Sequence, residues 1–143
     1  MELDNYKLYL QNYLREHDFD DDTLFSNTVE NNADSANTTF ANMRKAGYSI
    51  LGANELALKD LFVGIGASQR ETARDYLEDW FMDRVKYNGY DSYDEWTEKV
   101  AKEDAIWEPY RIKDGLGLDE EMVEIHMNEI ICEIDQFLTN HGI

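Results

Sequence analysis

The sequence predicts an all-α protein, a compact multihelical single domain spanning residues 1–143, with about six helices. Three observations predict it. Apolar residues recur every three to four positions almost throughout, the period of a helix with one buried face. Proline occurs once, at Pro109, so long segments lack the residue that breaks helices. Ser68 with Glu71, and Ser92 with Glu95, have the Ser-x-x-Glu spacing of capping boxes that open helices. A chain of 143 residues fits one domain. It buries roughly 70% of its unfolded surface and needs no disulfide or metal to fold.

The first helix is expected over residues 5–16, with Tyr6, Tyr9, Leu10, Tyr13 and Leu14 on one face. The run Asp18-Phe19-Asp20-Asp21-Asp22 breaks it, and one of these aspartates caps the next helix. That second helix covers residues 23–46, with Phe25, Val29, Ala33, Ala36, Phe40 and Met43 as its seam. Its outer face carries Asn27, Asn31, Asn32, Asn37, Thr38 and Asn42, all poor helix formers. Packing must therefore hold it. Gly47 supplies a left-handed stop, and Ser49 caps a third helix over 50–62. Gly64 and Gly66 break the chain. The box at Ser68 opens a fourth helix to residue 87, with Trp80 and Phe81 as its core anchors. Asn88-Gly89 is a turn pair, and Ser92 opens a fifth helix that ends near Glu108, ahead of Pro109. After a loop holding Gly115 and Gly117, Asp119 caps a last helix to residue 139. Val123, Met127, Ile130, Ile134, Phe137 and Leu138 form its inner stripe.

Charge excludes several function classes. Thirty-one acids against 13 bases leave a formal charge of −18. No Lys or Arg lies between Arg15 and Arg44, where seven acids do, and none follows Lys113, where eight do. Such a chain is repelled by nucleic-acid backbone and by anionic membrane, so neither is expected as a direct partner. It suits a basic protein partner or divalent cations, or the charge serves solubility alone. No run of about 18 apolar residues is present, so no membrane span is expected. Met1-Glu2-Leu3-Asp4 lacks the apolar core of a signal peptide, and the expected compartment is the cytoplasm. Cys132 is the only cysteine, which excludes an internal disulfide and a cysteine zinc cluster.

The opening Tyr6-Lys7-Leu8-Tyr9-Leu10-Gln11-Asn12-Tyr13-Leu14 resembles that of the domain-of-unknown-function 1896 family. So do Ala33-Asp34-x-Ala36, Phe40, Gly47-Tyr48-Ser49, Ala53-x-Glu55-Leu56-Ala57, Leu61-Phe62-x-Gly64 and Ser68. Leu77 to Val85, with Trp80 and Phe81, is similar to the family's fourth-helix motif. The resemblance implies a multihelical bacterial protein, typical of Bacteroidetes and often carried on mobile elements. It implies no activity, ligand or catalytic residue.

Chemistry motifs are incomplete. Asp18-x-Asp20-x-Asp22 opens like a calcium loop, but Thr23 and Val29 stand where that motif needs Gly and Glu. His126, Glu129 and Glu133 share one helix face, yet a bundle metal site wants a Glu-x-x-His on each of two helices, and Leu14, Val123 and Leu138 stand three before His17, His126 and His141. Gly64-x-Gly66 has Gln69 in place of a third glycine, and no strand precedes it. Cys132 reads as a buried small hydrophobe. No catalytic residue, metal or cofactor is assigned. Asp34 and Glu55 are the best polar candidates, with Asp34 expected to meet Arg44, Lys59 or Arg70, or a helix N-terminus, as a structural pair. Tyr87, Tyr90, Tyr93 and Trp96, mixed with acids, form a candidate contact surface for a basic partner, against a reading in which the rings fold onto the core. Asp20, Asp21 and Asp22 join that candidate interaction surface.

Three functions follow. The leading one is a non-enzymatic all-α interaction or accessory protein. The second is a nucleic-acid mimic that inhibits a DNA-binding protein; its 18 excess charges equal roughly 31 Å of duplex. The third is an enzyme of unknown reaction, its site assembled across helices.

Overall fold

The computed structural model describes residues 3–86 and 90–143, apart from the side chains of Phe25, Tyr90 and Asp91. Among the described residues it is all-α: nine α-helices, two short 3-10 turns and no strand. In chain order the helices are α1 (Leu3–Glu16), α2 (Asn27–Lys45), α3 (Ile50–Leu61), α4 (Gln69–Trp80), α5 (Met82–Val85), α6 (Tyr90–Ala101), α7 (Asp104–Trp107), α8 (Glu120–Ile125) and α9 (Met127–Asn140). The expectation of about six helices is corrected to nine, because each of the last three expected helices is cut once. The cuts fall at Phe81 (φ −130°, ψ 10°), at Lys102-Glu103 and at His126 (φ −101°, ψ 23°). Residues on both sides of each cut are apolar at helical spacing, so the period survives a cut that only packing dictates.

The chain forms two compact units, Met1–Ile65 with Lys113–Leu116, and Gly66–Ile112 with Gly117–Ile143. In the first, α1, α2 and α3 enclose Tyr6, Leu10, Leu14, Leu24, Val29, Ala33, Ala36, Ala57 and Leu61. Alanines on both α2 and α3 let the two helix backbones approach closely, which offsets the weak propensity of the Asn-rich segment. Asn32 adds a specific clamp. Its Nδ2 donates to the carbonyls of Leu61 (3.0 Å) and Val63 (2.7 Å), which lie beyond the last helical hydrogen bonds of α3. Asn32→Ala should lower stability by about 1 kcal/mol in urea melts. A loss near zero would show that water replaces the amide. Thr39 on α2 also donates to the Asp60 carboxylate on α3.

Ends of helices follow local chemistry. Gly47 (φ +97°) closes α2 with paired bonds, Tyr48 N–H to Met43 O and Gly47 N–H to Arg44 O. Asp18 (φ +61°) ends α1 in the same way, with Phe19 N–H donating to Leu14 O. The Asp run thus supplies a stop, while the cap of the next helix falls to Ser26, whose hydroxyl accepts from Val29 N–H. The second helix therefore starts at Asn27, behind a 3-10 turn over Asp21–Phe25, and not at residue 23. Ser49, Ser68 and Asp119 cap α3, α4 and α8 as expected. Ser92 does not cap: α6 begins at Tyr90, and Ser92 is a buried residue of its first turn. The expected turn pair Asn88-Gly89 lies outside the described residues, as does the Phe25 side chain of the expected seam.

In the second unit, Ala73, Tyr76 and Leu77 of α4 meet Trp96 and Val100 of α6, Ile106 and Trp107 of α7, and Ile130, Ile134 and Leu138 of α9. The cut at Phe81 carries Phe81 and Val85 into this core. It leaves Trp80 55% exposed, which corrects the expectation that both rings anchor the core. Cys132 is likewise exposed and not a buried hydrophobe. Arg84 reaches α9, donating to the Asp135 carboxylate, Thr139 Oγ1 (3.0 Å) and the Ile143 carbonyl (2.8 Å).

Candidate interaction surface

Asp20, Asp21 and Asp22 are exposed in the first unit, at the head of the 3-10 turn. Thr23 spends its hydroxyl locally, on the Asp20 carbonyl at 2.6 Å. The aromatic candidates divide. Tyr87 and the side chain of Tyr90 lie outside the described residues. Tyr93 is half-buried, and its hydroxyl donates to the Arg74 carbonyl at 3.3 Å. Burial first, then the Glu78 carboxylate, holds its phenol above the ordinary value of 10.0. Trp96 is 7% exposed, edge-on to Phe137 at 6.3 Å, with the Lys99 ammonium 4.4 Å from its ring centre. Tyr93, Trp96 and Val100 fall at helical spacing on the inner stripe of α6, so Tyr93 and Trp96 line the core of the second unit and do not make an open contact surface.

Other polar candidates do not converge. Asp34 and Glu55 are both exposed, and among the described residues no ion pair reaches either. Arg44, an expected partner of Asp34, donates to the Tyr48 carbonyl at 2.8 Å. His126 faces Glu129 through Nδ1 at 3.6 Å and lies beside Tyr110, their rings tilted by 38° with centres 5.6 Å apart. Burial, followed by the Glu133 and Glu129 carboxylates, raises the Tyr110 phenol above 10.0. Among the described residues no three His, Cys, Asp or Glu side chains gather closely enough to hold a metal ion. None of the helices there is long and apolar enough to cross a membrane.

What charge counting did not reveal is a set of exposed apolar residues among the acids of α8 and the start of α9. No residue of α8 is fully buried, and Val123 alone packs against the core. Ile125, about 200° around the helix from Val123, is 64% exposed. Met122 and Met127 are exposed as well, as are Glu120, Glu121, Glu124 and Glu129. Met127 continues the inner stripe of Ile130 and Ile134 by one turn, beyond the point where the core covers it. The sequence placed Met127 inside because its spacing is right; spacing does not report where a core ends.

The family model for the domain of unknown function DUF1896 matches residues 1–143, the whole chain. Among solved structures, the chain is similar to the crystal structure of protein PG0816 from Porphyromonas gingivalis, a Bacteroidetes species. The match has a TM-score of 0.66 and 22% identity, covering 93% of this chain and 85% of that one. At that identity the likeness shows the fold alone. No curated protein matches the chain.

Proposed function

This chain belongs to the DUF1896 family, and we propose that it is a non-enzymatic interaction or accessory protein whose partner is a basic protein. One observation carries this reading: exposed carboxylates concentrate in two stretches without a Lys or Arg, at Asp20–Asp22 and over Glu120, Glu121 and Glu124. Charge of one sign on an exposed surface speeds encounter with the opposite sign and rejects like-charged partners.

The test is capture from the host bacterium with two baits. One is the native chain; the other carries Asp20→Asn, Asp21→Asn, Asp22→Asn, Glu120→Gln, Glu121→Gln and Glu124→Gln. A basic protein held by the first and lost by the second supports the reading. A set of captured proteins that does not change between baits defeats it. Release of that protein by duplex DNA would mark it as a DNA-binding protein and favour mimicry over simple docking.

The same charge makes the fold sensitive to salt. Raising ionic strength from low to moderate should lift the melting midpoint by roughly 2–4 °C, the equivalent of about 1 kcal/mol at this size. The charge-reduced protein should respond less. Equal midpoints at both ionic strengths in both proteins would mean the charges are locally compensated.

A further inference from the structure

The geometry points to the exposed face of α8 and the start of α9 as a docking site for a basic amphipathic helix of a partner protein. This inference rests on the basic-partner reading above and deepens it to one surface and one kind of ligand. Two independent features support it. The first is unpartnered apolar area: Met122 and Ile125, one helical turn apart on α8, and Met127 just past the cut at His126, all exposed. Methionine side chains are flexible and polarizable, so they suit a surface that must fit an incoming helix. The second is charge: Glu120, Glu121, Glu124 and Glu129 flank these residues, and the chain has no Lys or Arg after Lys113. An amphipathic helix offers apolar residues at i, i+3, i+4 and i+7 for such a face, and lysines or arginines on its flanks meet the carboxylates. A neutral or acidic helix would bury the same apolar area but leave the carboxylates facing nothing or facing repulsion.

The cut at His126 gives the face its shape. The backbone leaves helical angles at His126 (φ −101°, ψ 23°), so α8 and α9 are two helices and not one continuous rod, and the His126 ring lies 5.6 Å from that of Tyr110. A second exposed apolar group, Tyr48, Ile50 and Leu51 in the first unit, follows two bases, Arg44 and Lys45, and has a single exposed acid, Glu55, one helical turn from Leu51. It serves as the internal control.

The probe is a synthetic helical peptide of about 16 residues, leucines on one face and lysines on the other. A second peptide has the same composition in scrambled order. The readout in the native protein is the ε-methyl signals of its five methionines. We expect Met122 and Met127 to shift on titration with the amphipathic peptide, and Met43 and Met82 to stay. Met122→Ser with Ile125→Ser should weaken binding by about tenfold, while Leu51→Ser leaves it unchanged. Because these side chains are exposed, thermal melts should show both variants folded. If the scrambled peptide binds equally well, and Met122 and Met127 do not move, charge alone is at work: the docking face falls and the basic-partner reading survives. If neither peptide binds at low salt, both fall together.

Discussion

Trp107→Ala is expected to remove about 3–5 kcal/mol of stability, the largest loss from any single side chain in the second unit. Trp107 is among the largest fully buried side chains and has no exposed surface. Its ring lies 6.2 Å from that of Tyr76, and its Nε1–H donates to the Val100 carbonyl at 2.8 Å. That carbonyl sits near the end of α6 and also accepts from Glu103 N–H at 3.2 Å, so the indole is its second donor. Truncation therefore opens a ring-sized cavity and removes a buried donor from the helix end. Trp107→Phe keeps most of the volume and should lose about 1–2 kcal/mol. Trp80→Ala is the contrast: the ring is more than half exposed, and the loss should stay below about 1 kcal/mol. Urea melts of the three variants decide the point. Equal losses at Trp107 and Trp80 would refute this assignment of the core.

Gly117→Ala is expected to cost about 3 kcal/mol, although it adds only one methyl. Two backbone segments meet there without forming a sheet. Ala67 N–H donates to Leu118 O at 2.9 Å, and Leu118 N–H returns the bond to Ala67 O at 2.8 Å. Gly117 has φ +82°, and a Cβ on it would stand 2.5 Å from the Ala67 carbonyl oxygen. A Cβ on Gly66 would overlap the Leu118 carbonyl. Strain at positive φ contributes about 1–2 kcal/mol, and the rest comes from pushing the reciprocal pair apart. Gly47→Ala isolates the first term: φ is +97° there, and nothing lies within 4 Å. It should lose only about 1–2 kcal/mol. If the two variants melt alike, the close approach contributes nothing.

Both predictions show where local chemistry stops being informative. Gly64 and Gly66 are visible in the sequence as breaks, and Gly115 and Gly117 as a loop. Nothing in either segment says that residues 67 and 118 exchange hydrogen bonds, because a pairing across that sequence distance depends on everything folded around it. Trp80 and Phe81 are a second case. Both are large, adjacent and apolar, and a helix running through them would turn them about 100° apart. The backbone departs from helical angles at Phe81, and that turn decides which ring enters the core. Tyr93 and Trp96 are a third: aromatic residues among acids look the same whether the rings face solvent or the core.

What the sequence determined by itself was the all-α class and the chemistry of individual helix ends. Ser49, Ser68 and Asp119 cap, and Gly47 stops, through bonds between residues no more than five positions apart. Such bonds form in any context that admits the helix, so their residues can be read directly. The family was legible for a related reason, since its motif positions are mostly aromatic, small or glycine, the residue types of packing and turns. Only the tertiary structure decided the cuts at Phe81, Glu103 and His126, and the exposure of Trp80, Cys132, Met122, Ile125 and Met127. Each of these depends on how far a core extends. An apolar stripe is written into the chain with the period of a helix, but the surface that covers it is assembled from distant segments, and where that cover ends the same stripe lies exposed.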